Sequence, residues 1–277
     1  MRPILFIAWL TLREAGRRRI LWLVGGLSLV FLIVFAVGFR LVYAEILAHM
    51  PRSGREGEAA SFFAIAGLYA ANFLVIMLSV LAAVDTVSGE VASHSIHSLV
   101  SKPIRRREVI LGKWLGFAAL VVGAVLALGG GVVAISWAIT GYLIPNTLVG
   151  LSLIVLEGLV LTSLTILGGT RLSTLANGVL VFMLFGLAFL GGWTEQIGGF
   201  LGNQAAIRVG IVTSLILPTE ALWKRAAHLM QPAVYQSFAS TPFAVTSVPS
   251  PAMVYYSLVY CLAVVAAAVA TFDRRDL

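Results

Sequence analysis

Few residues in this chain could do chemistry. Glu90, His94 and His97 lie in one polar stretch, with the histidines three apart and able to share a helix face. A metal needs further Cys, His or carboxylate ligands, and none clusters with them in the sequence. Gly112-Lys113 is followed by Trp114 and lacks the upstream glycine of G-x-x-x-x-G-K-[ST]. The backbone cradle that holds nucleotide phosphates is therefore not expected. Neither H-E-x-x-H nor G-x-S-x-G occurs. The expectation is a chain with no catalytic residue and no metal site, unable to hydrolyse ATP alone. Glu157 is different, because it lies well inside an apolar run. An ionisable group at membrane depth is a candidate for function. It could line a transport path, pair with a partner, or hydrogen-bond across a helix pair. Asn72, Thr162, Ser163 and Thr165 are polar groups it could meet.

The elements that position these residues follow from composition. The chain has 277 residues, 60% hydrophobic and 11% charged, with a formal net charge of +7. Its mean hydropathy is +0.98. Soluble domains carry roughly 25% charged residues, so a soluble enzyme, a disordered chain and a coiled coil are excluded. The solvent for much of the chain is a bilayer. One cysteine, Cys261, cannot form an internal disulfide. The basic excess reads as a set of topology determinants, and no nucleic-acid partner is expected.

A spanning helix needs about 20 apolar residues to cross a hydrocarbon core about 30 Å thick. Runs of that kind predict spans at about 20–39, 59–84, 111–138, 147–167, 172–192 and 252–272. The long uncharged stretch after Trp114 is divided by the turn cluster Gly141–Asn146. The last span opens with Ser250-Pro251, a cap followed by proline in the first turn. The first run is too long for a cleavable signal and reads as a span. Residues 193–251 mix apolar stretches with Arg208, Glu220, Lys224, Arg225 and prolines. They are expected to form a helical, partly embedded outer segment rather than a seventh span. A helix start is expected at Thr219, after Pro218. Trp193, Phe200, Trp223, Tyr235, Phe238, Phe243, Tyr255 and Tyr256 suit a headgroup-level belt, or an ordinary exterior loop with buried aromatics.

Charge sorting orients the spans. With the N-terminus inside, the inner segments hold Arg2, Arg13, Arg17, Arg18, Arg19, Lys102, Arg105, Arg106, Arg107, Lys113, Arg171, Arg274 and Arg275. These are 13 of the 19 basic residues, which predicts both termini in the cytoplasm.

The inner segment 85–110 is longer than a connector needs to be. Ala92, Ile96, Leu99 and Val100 form one stripe of a helix, with Glu90, His94 and His97 off it. Lys102-Pro103 ends that helix, and Arg105-Arg106-Arg107 start another that runs into the third span. A short amphipathic helix thus lies flat at the cytoplasmic face. It could receive force from a soluble partner, or be held by anionic lipid at Arg105–Arg107.

The string Ser88-Gly89-Glu90 through Ser101-Lys102-Pro103-Ile104-Arg105-Arg106-Arg107-Glu108 and Leu111-Gly112-Lys113 resembles the cytoplasmic signature of ABC-2 type transporter permeases, including the multidrug and NosY-like kinds. There the pattern reads S-G-E-x-E-S-G-T, then S-[KR]-P-[IV]-S-R-x-E and L-G-K. The tail Phe272–Asp276 is also similar. Ala92, His94 and Ser95 depart from the pattern, where the family has Glu, Gly and Thr.

The resemblance implies an all-α integral membrane protein with six transmembrane helices. It implies an elbow helix within residues 1–19, including Trp9, and a coupling helix between the second and third spans. It implies a homodimer, or pairing with a related second permease, and two separate ABC ATPase subunits that hold Mg-ATP. No cofactor belongs to the chain itself. Glu90, Ile96, Leu99, Lys102, Arg105, Arg106 and Arg107 would couple it to the ATPase, and Glu157 and Asn72 would lie on the path. An exporter of the bacterial or archaeal plasma membrane is the expected whole. A self-contained secondary transporter and a membrane scaffold are the alternatives. A secondary transporter needs ionisable groups in its spans and often an internal repeat. The sequence offers one such acid and no clear repeat.

Overall fold

The computed structural model describes residues 3–17, 19–49, 56–86, 105–231 and 247–274. Glu90, His94, Ile96, His97, Leu99 and Lys102 lie outside the described residues, as do Tyr235, Phe238 and Phe243. The described chain is helical throughout: α1 Pro3–Ala15, α2 Arg19–His49, α3 Glu56–Ala83, α4 Arg106–Thr140, α5 Thr147–Gly169, α6 Thr174–Leu201, α7 Gln204–Ile216, α8 Thr219–Met230 and α9 Pro251–Asp273. Six of them, α2, α3, α4, α5, α6 and α9, are long and apolar enough to cross a membrane.

In a bilayer every backbone group must be satisfied within the protein, which leaves helices as the economical choice for such apolar runs. Their ends follow local chemistry. Gly141 caps α4 in the left-handed region at φ 70°, where a side chain would be strained, and its N–H donates to the Trp137 carbonyl at 2.8 Å. The Asn203 side chain accepts from the amides of Ala205 and Ala206 at the start of α7. Ser250 sits at the N-cap of α9 with Pro251 next, but its hydroxyl makes no cap bond.

The helices α3 and α5 stand at the centre. Leu68 and Val75 of α3, Val121, Val125 and Leu128 of α4, and Ile154 of α5 form the main core. By contrast α2 lies at the edge, with Trp22, Leu23, Leu29 and Val34 more than half-exposed. Lipid tails are as apolar as leucine, so helix contacts depend on close fit and small residues.

The outer segment contains the most unusual geometry. The helix α6 continues to Leu201, past the expected end of the fifth span at Gly192. The chain then reverses at Gly202, and α7 packs antiparallel against the outer half of α6. A Cβ on Gly198 would lie 2.7 Å from Ala206 Cβ, and one on Gly210 would overlap Glu195 Cβ. Gly202 itself is a left-handed cap at φ 68°. At Leu217-Pro218 the backbone turns, and α8 leaves at 109° to α7. The pair α7–α8 is thus sharply bent beside the six long apolar helices.

Because Gly210 has no room for a side chain, Gly210→Leu is expected to pry α7 from α6 and cost about 1–3 kcal/mol. Gly123, where an added Cβ meets nothing within 4 Å, supplies the control Gly123→Ala. Thermal unfolding of the detergent-purified protein should separate the two variants.

Candidate functional site

Two groups of polar residues stand out, one at each end of the bundle. The first surrounds the ends of segment 87–104. The helix α3 stops just before it and α4 starts just after it. Lys113, one turn into the apolar part of α4, is buried, and its Nζ donates to the Thr86 carbonyl at 2.9 Å. A cation at a helix C-terminus satisfies carbonyls the helix leaves open. Beside it the Thr174 hydroxyl donates to Asp85 Oδ1 at 2.9 Å. This bond ties the chain leaving α3 to the first turn of α6, whose positive dipole end favours an acid.

The arginines follow at the start of α4. The Arg105 amide donates to Glu108 Oε2 at 2.9 Å, which fixes the helix start. Arg105 and Arg107 are exposed, while Arg106 is half-buried and its Nη1 reaches the Asp273 carbonyl at 3.5 Å. The end of α9 therefore meets the start of α4. The amphipathic helix α1 docks at the same end, with Ile7, Ala8, Thr11 and Ala15 inward and Leu5, Phe6 and Trp9 outward. Its seat is Gly112-x-x-x-Gly116 on α4. A Cβ there would lie 2.6 Å from Ile7 Cβ or 2.8 Å from the Ala8 carbonyl oxygen.

The second group is buried around α8. This helix carries Glu220, Lys224, Arg225 and His228, yet most of its residues are buried. Lys224 Nζ pairs with Glu195 Oε2 of α6 at 3.0 Å, and the Ser247 hydroxyl donates to Glu195 Oε1 at 2.5 Å. The Glu220 side chain crosses Gly192, where no Cβ obstructs it. Burial pushes the Glu220 carboxyl up to about 7; Lys224 pulls it down and Glu195 pushes it up. Burial and then Arg225 lower His228 from its ordinary value. At the far end of α8 the Asn146 amide donates to the Leu229 carbonyl at 3.0 Å.

Glu157 lies one layer further in. It is 1% exposed, hydrogen-bonds with Asn72 of α3, and lies within electrostatic range of Glu220. Its Oε2 and Asn72 Oδ1 have no protein partner. The structure thus brings Glu157 and Asn72 together inside one chain. Ser163 is engaged elsewhere: it accepts from the Trp114 indole at 2.8 Å and faces Cys261 Sγ at 3.3 Å. Trp223 is buried edge-on against Tyr69, with centroids 5.2 Å apart, which agrees with the buried-aromatic alternative. Among the described residues, no three His, Cys, Asp or Glu side chains could hold a metal ion.

Three functional groups escaped sequence reasoning. Lys113 counted as one more inner cation, yet it caps α3. Glu195 and Lys224 are 29 residues apart, and Asp85 and Thr174 are 89 apart. The available signal was the presence of Glu195 and Lys224, one acid and one base flanking the same embedded stretch.

Removing one partner of a buried ion pair leaves an uncompensated charge and costs about 3–5 kcal/mol. Lys224→Met and Glu195→Gln should each destabilise by about that much, measured by thermal unfolding. The double variant should lose clearly less than the sum of the two.

Among curated proteins, none matches this chain. A family model described as ABC-2 family transporter protein matches residues 5–277. That match runs from the helix docked on Gly112 and Gly116 through all six apolar helices. The chain belongs to the ABC-2 transporter family and is a multi-pass membrane protein with a permease role in ABC transport.

Proposed function

We propose that this chain is the permease subunit of an ATP-driven exporter in a bacterial or archaeal plasma membrane. In this reading it works as a homodimer or beside a related second permease. Two separate ATPase subunits bind Mg-ATP and engage segment 85–110, and both termini face the cytoplasm. The observation that carries the reading is the clustering of α1, the two ends of segment 87–104 and the end of α9 at one end of the bundle. The basic excess of the sequence belongs to that same end, as expected of a cytoplasmic face.

The described contacts give the proposed push a physical route. Closure of the ATPase pair displaces the amphipathic stripe Ile96–Leu99. Thr86–Lys113 delivers the displacement to α3 and α4 together, and Asp85–Thr174 delivers it to α6. Glu90, Lys102 and Arg105–Arg107 face the ATPase or the lipid rim. Glu157 and Asn72 brace α3 against α5, so movement of α3 must carry that brace along or part it. This is how the two residues bear on the path while remaining buried.

Two sets of variants test the route, measured on the complex purified with its ATPase from native membranes. Ile96→Asp with Leu99→Asp should abolish co-purification of the ATPase. Lys113→Met should keep the ATPase bound but lower transport-stimulated hydrolysis by about tenfold, within the range of coupling energies between linked sites. Normal stimulation in the Ile96 and Leu99 double variant would sink the coupling assignment.

A further inference from the structure

A cavity of about 240 Å³ lies between α6, α7, α8 and the first turn of α9, at the end of the bundle opposite segment 87–104. Typical small-molecule pockets hold roughly 300–1,000 Å³, so this one suits a headgroup rather than a drug-sized molecule. Ser214 lines it, is 5% exposed, and has a hydroxyl with no protein partner. An unmet buried hydroxyl is costly, and a ligand oxygen would relieve that cost.

The open helix end at one wall favours an anion. Ser250 and Met253, in the first turn of α9, form one wall, and the Ser250 side chain does not cap that helix. A helix N-terminus presents open N–H groups and positive potential. Behind the lining residue Pro249, the Arg225 Nη1 donates to the Pro249 carbonyl at 2.7 Å. Glu195 also lines the cavity, but Lys224 and Ser247 already engage both of its oxygens.

Ile211 and Leu215 line the same cavity and are 47% and 48% exposed on the outer flank of α7. The polar interior therefore opens along an apolar, lipid-facing surface. We propose that the cavity binds the anionic headgroup of one phospholipid from the adjacent leaflet. Its phosphate lies by Ser214 and the α9 N-terminus, and its acyl chains follow Ile211 and Leu215. This assignment stands independently of ATPase coupling.

The test uses the full-length protein in detergent, titrated with dioleoyl phosphatidylglycerol or dioleoyl phosphatidylcholine and read by native mass spectrometry. Wild type should retain one phosphatidylglycerol per chain with about tenfold preference over phosphatidylcholine, the equivalent of about 1.4 kcal/mol. Met253→Trp, which fills the cavity, and Ser214→Ala, which removes only the hydroxyl, should both lose that preference. Ser214→Ala decides the matter if Met253→Trp does not fold. Equal retention of the two lipids by wild type would overturn the proposal, and so would wild-type retention by Ser214→Ala. Displacement of the lipid by an equal concentration of glycerol 3-phosphate would also overturn it, by identifying a site for a free anion.

Discussion

The structure depends on one constraint: at membrane depth, each charge and each open backbone group must find its partner inside the protein. The Glu195–Lys224 pair is where that constraint acts most strongly. Without it α8 could not enter the bundle, because a helix bearing Lys224 and Glu220 would leave uncompensated charge among apolar neighbours. With it, α8 fills the space beside α3, α5 and α6, where Trp223 and Met230 join the main core. The break at Leu217-Pro218 is tolerable for the same reason. Both residues are buried in protein, so the interrupted backbone does not face lipid. The glycine contacts between α6 and α7 then follow, since α8 reaches its ion pair only if α7 returns tightly along α6.

The same rule shapes the opposite end. A long polar segment must leave one apolar helix and enter another, and the buried end of α3 has carbonyls to satisfy. Lys113 does this from about two turns inside α4, so the exit from α3 and the entry to α4 share a bond. Asp85 adds the first turn of α6. Three spans therefore meet at a segment that carries no apolar span itself. A force applied there has short, directional contacts to act through, whereas contacts along the apolar faces slide more easily.

Much of the architecture was legible in the sequence because hydropathy reports the solvent directly. The six apolar runs, the turn at Gly141–Asn146, the helix start after Pro218 and the close approach at Gly112-x-x-x-Gly116 all lie in local patterns. The partners did not. Gly112 and Gly116 announce a close neighbour, yet nothing local says that the neighbour is α1. Gly198 and Gly202 show the same spacing, but Gly202 terminates a helix. The cause is physical: core and lipid are equally apolar, so no hydrophobic stripe distinguishes the face of α5 that meets α3 from the face that meets lipid. Trp223 was left between two placements for a related reason, since a tryptophan suits both a headgroup belt and the buried edge-to-face contact it makes. Of the candidate site, Glu157 and Asn72 were legible as unusual polar residues at membrane depth, but not Glu220 behind them.

The two ends also differ in how they resist movement. At the end bearing α7 and α8, a buried ion pair, interlocked glycine contacts and the Asn146–Leu229 bond hold α6, α8 and the α4–α5 turn together. Parting them exposes charge in a low-dielectric interior, a cost of several kcal/mol. At the other end, the contacts that join α3, α4 and α6 include the buried bond from Lys113 to the Thr86 carbonyl and the bond from Thr174 to an exposed Asp85. Glu157 and Asn72 lie between the two regimes, deep enough to be buried and close enough to Glu220 to sense any shift of α8. The pair links the central helices α3 and α5 and faces the buried acid of α8.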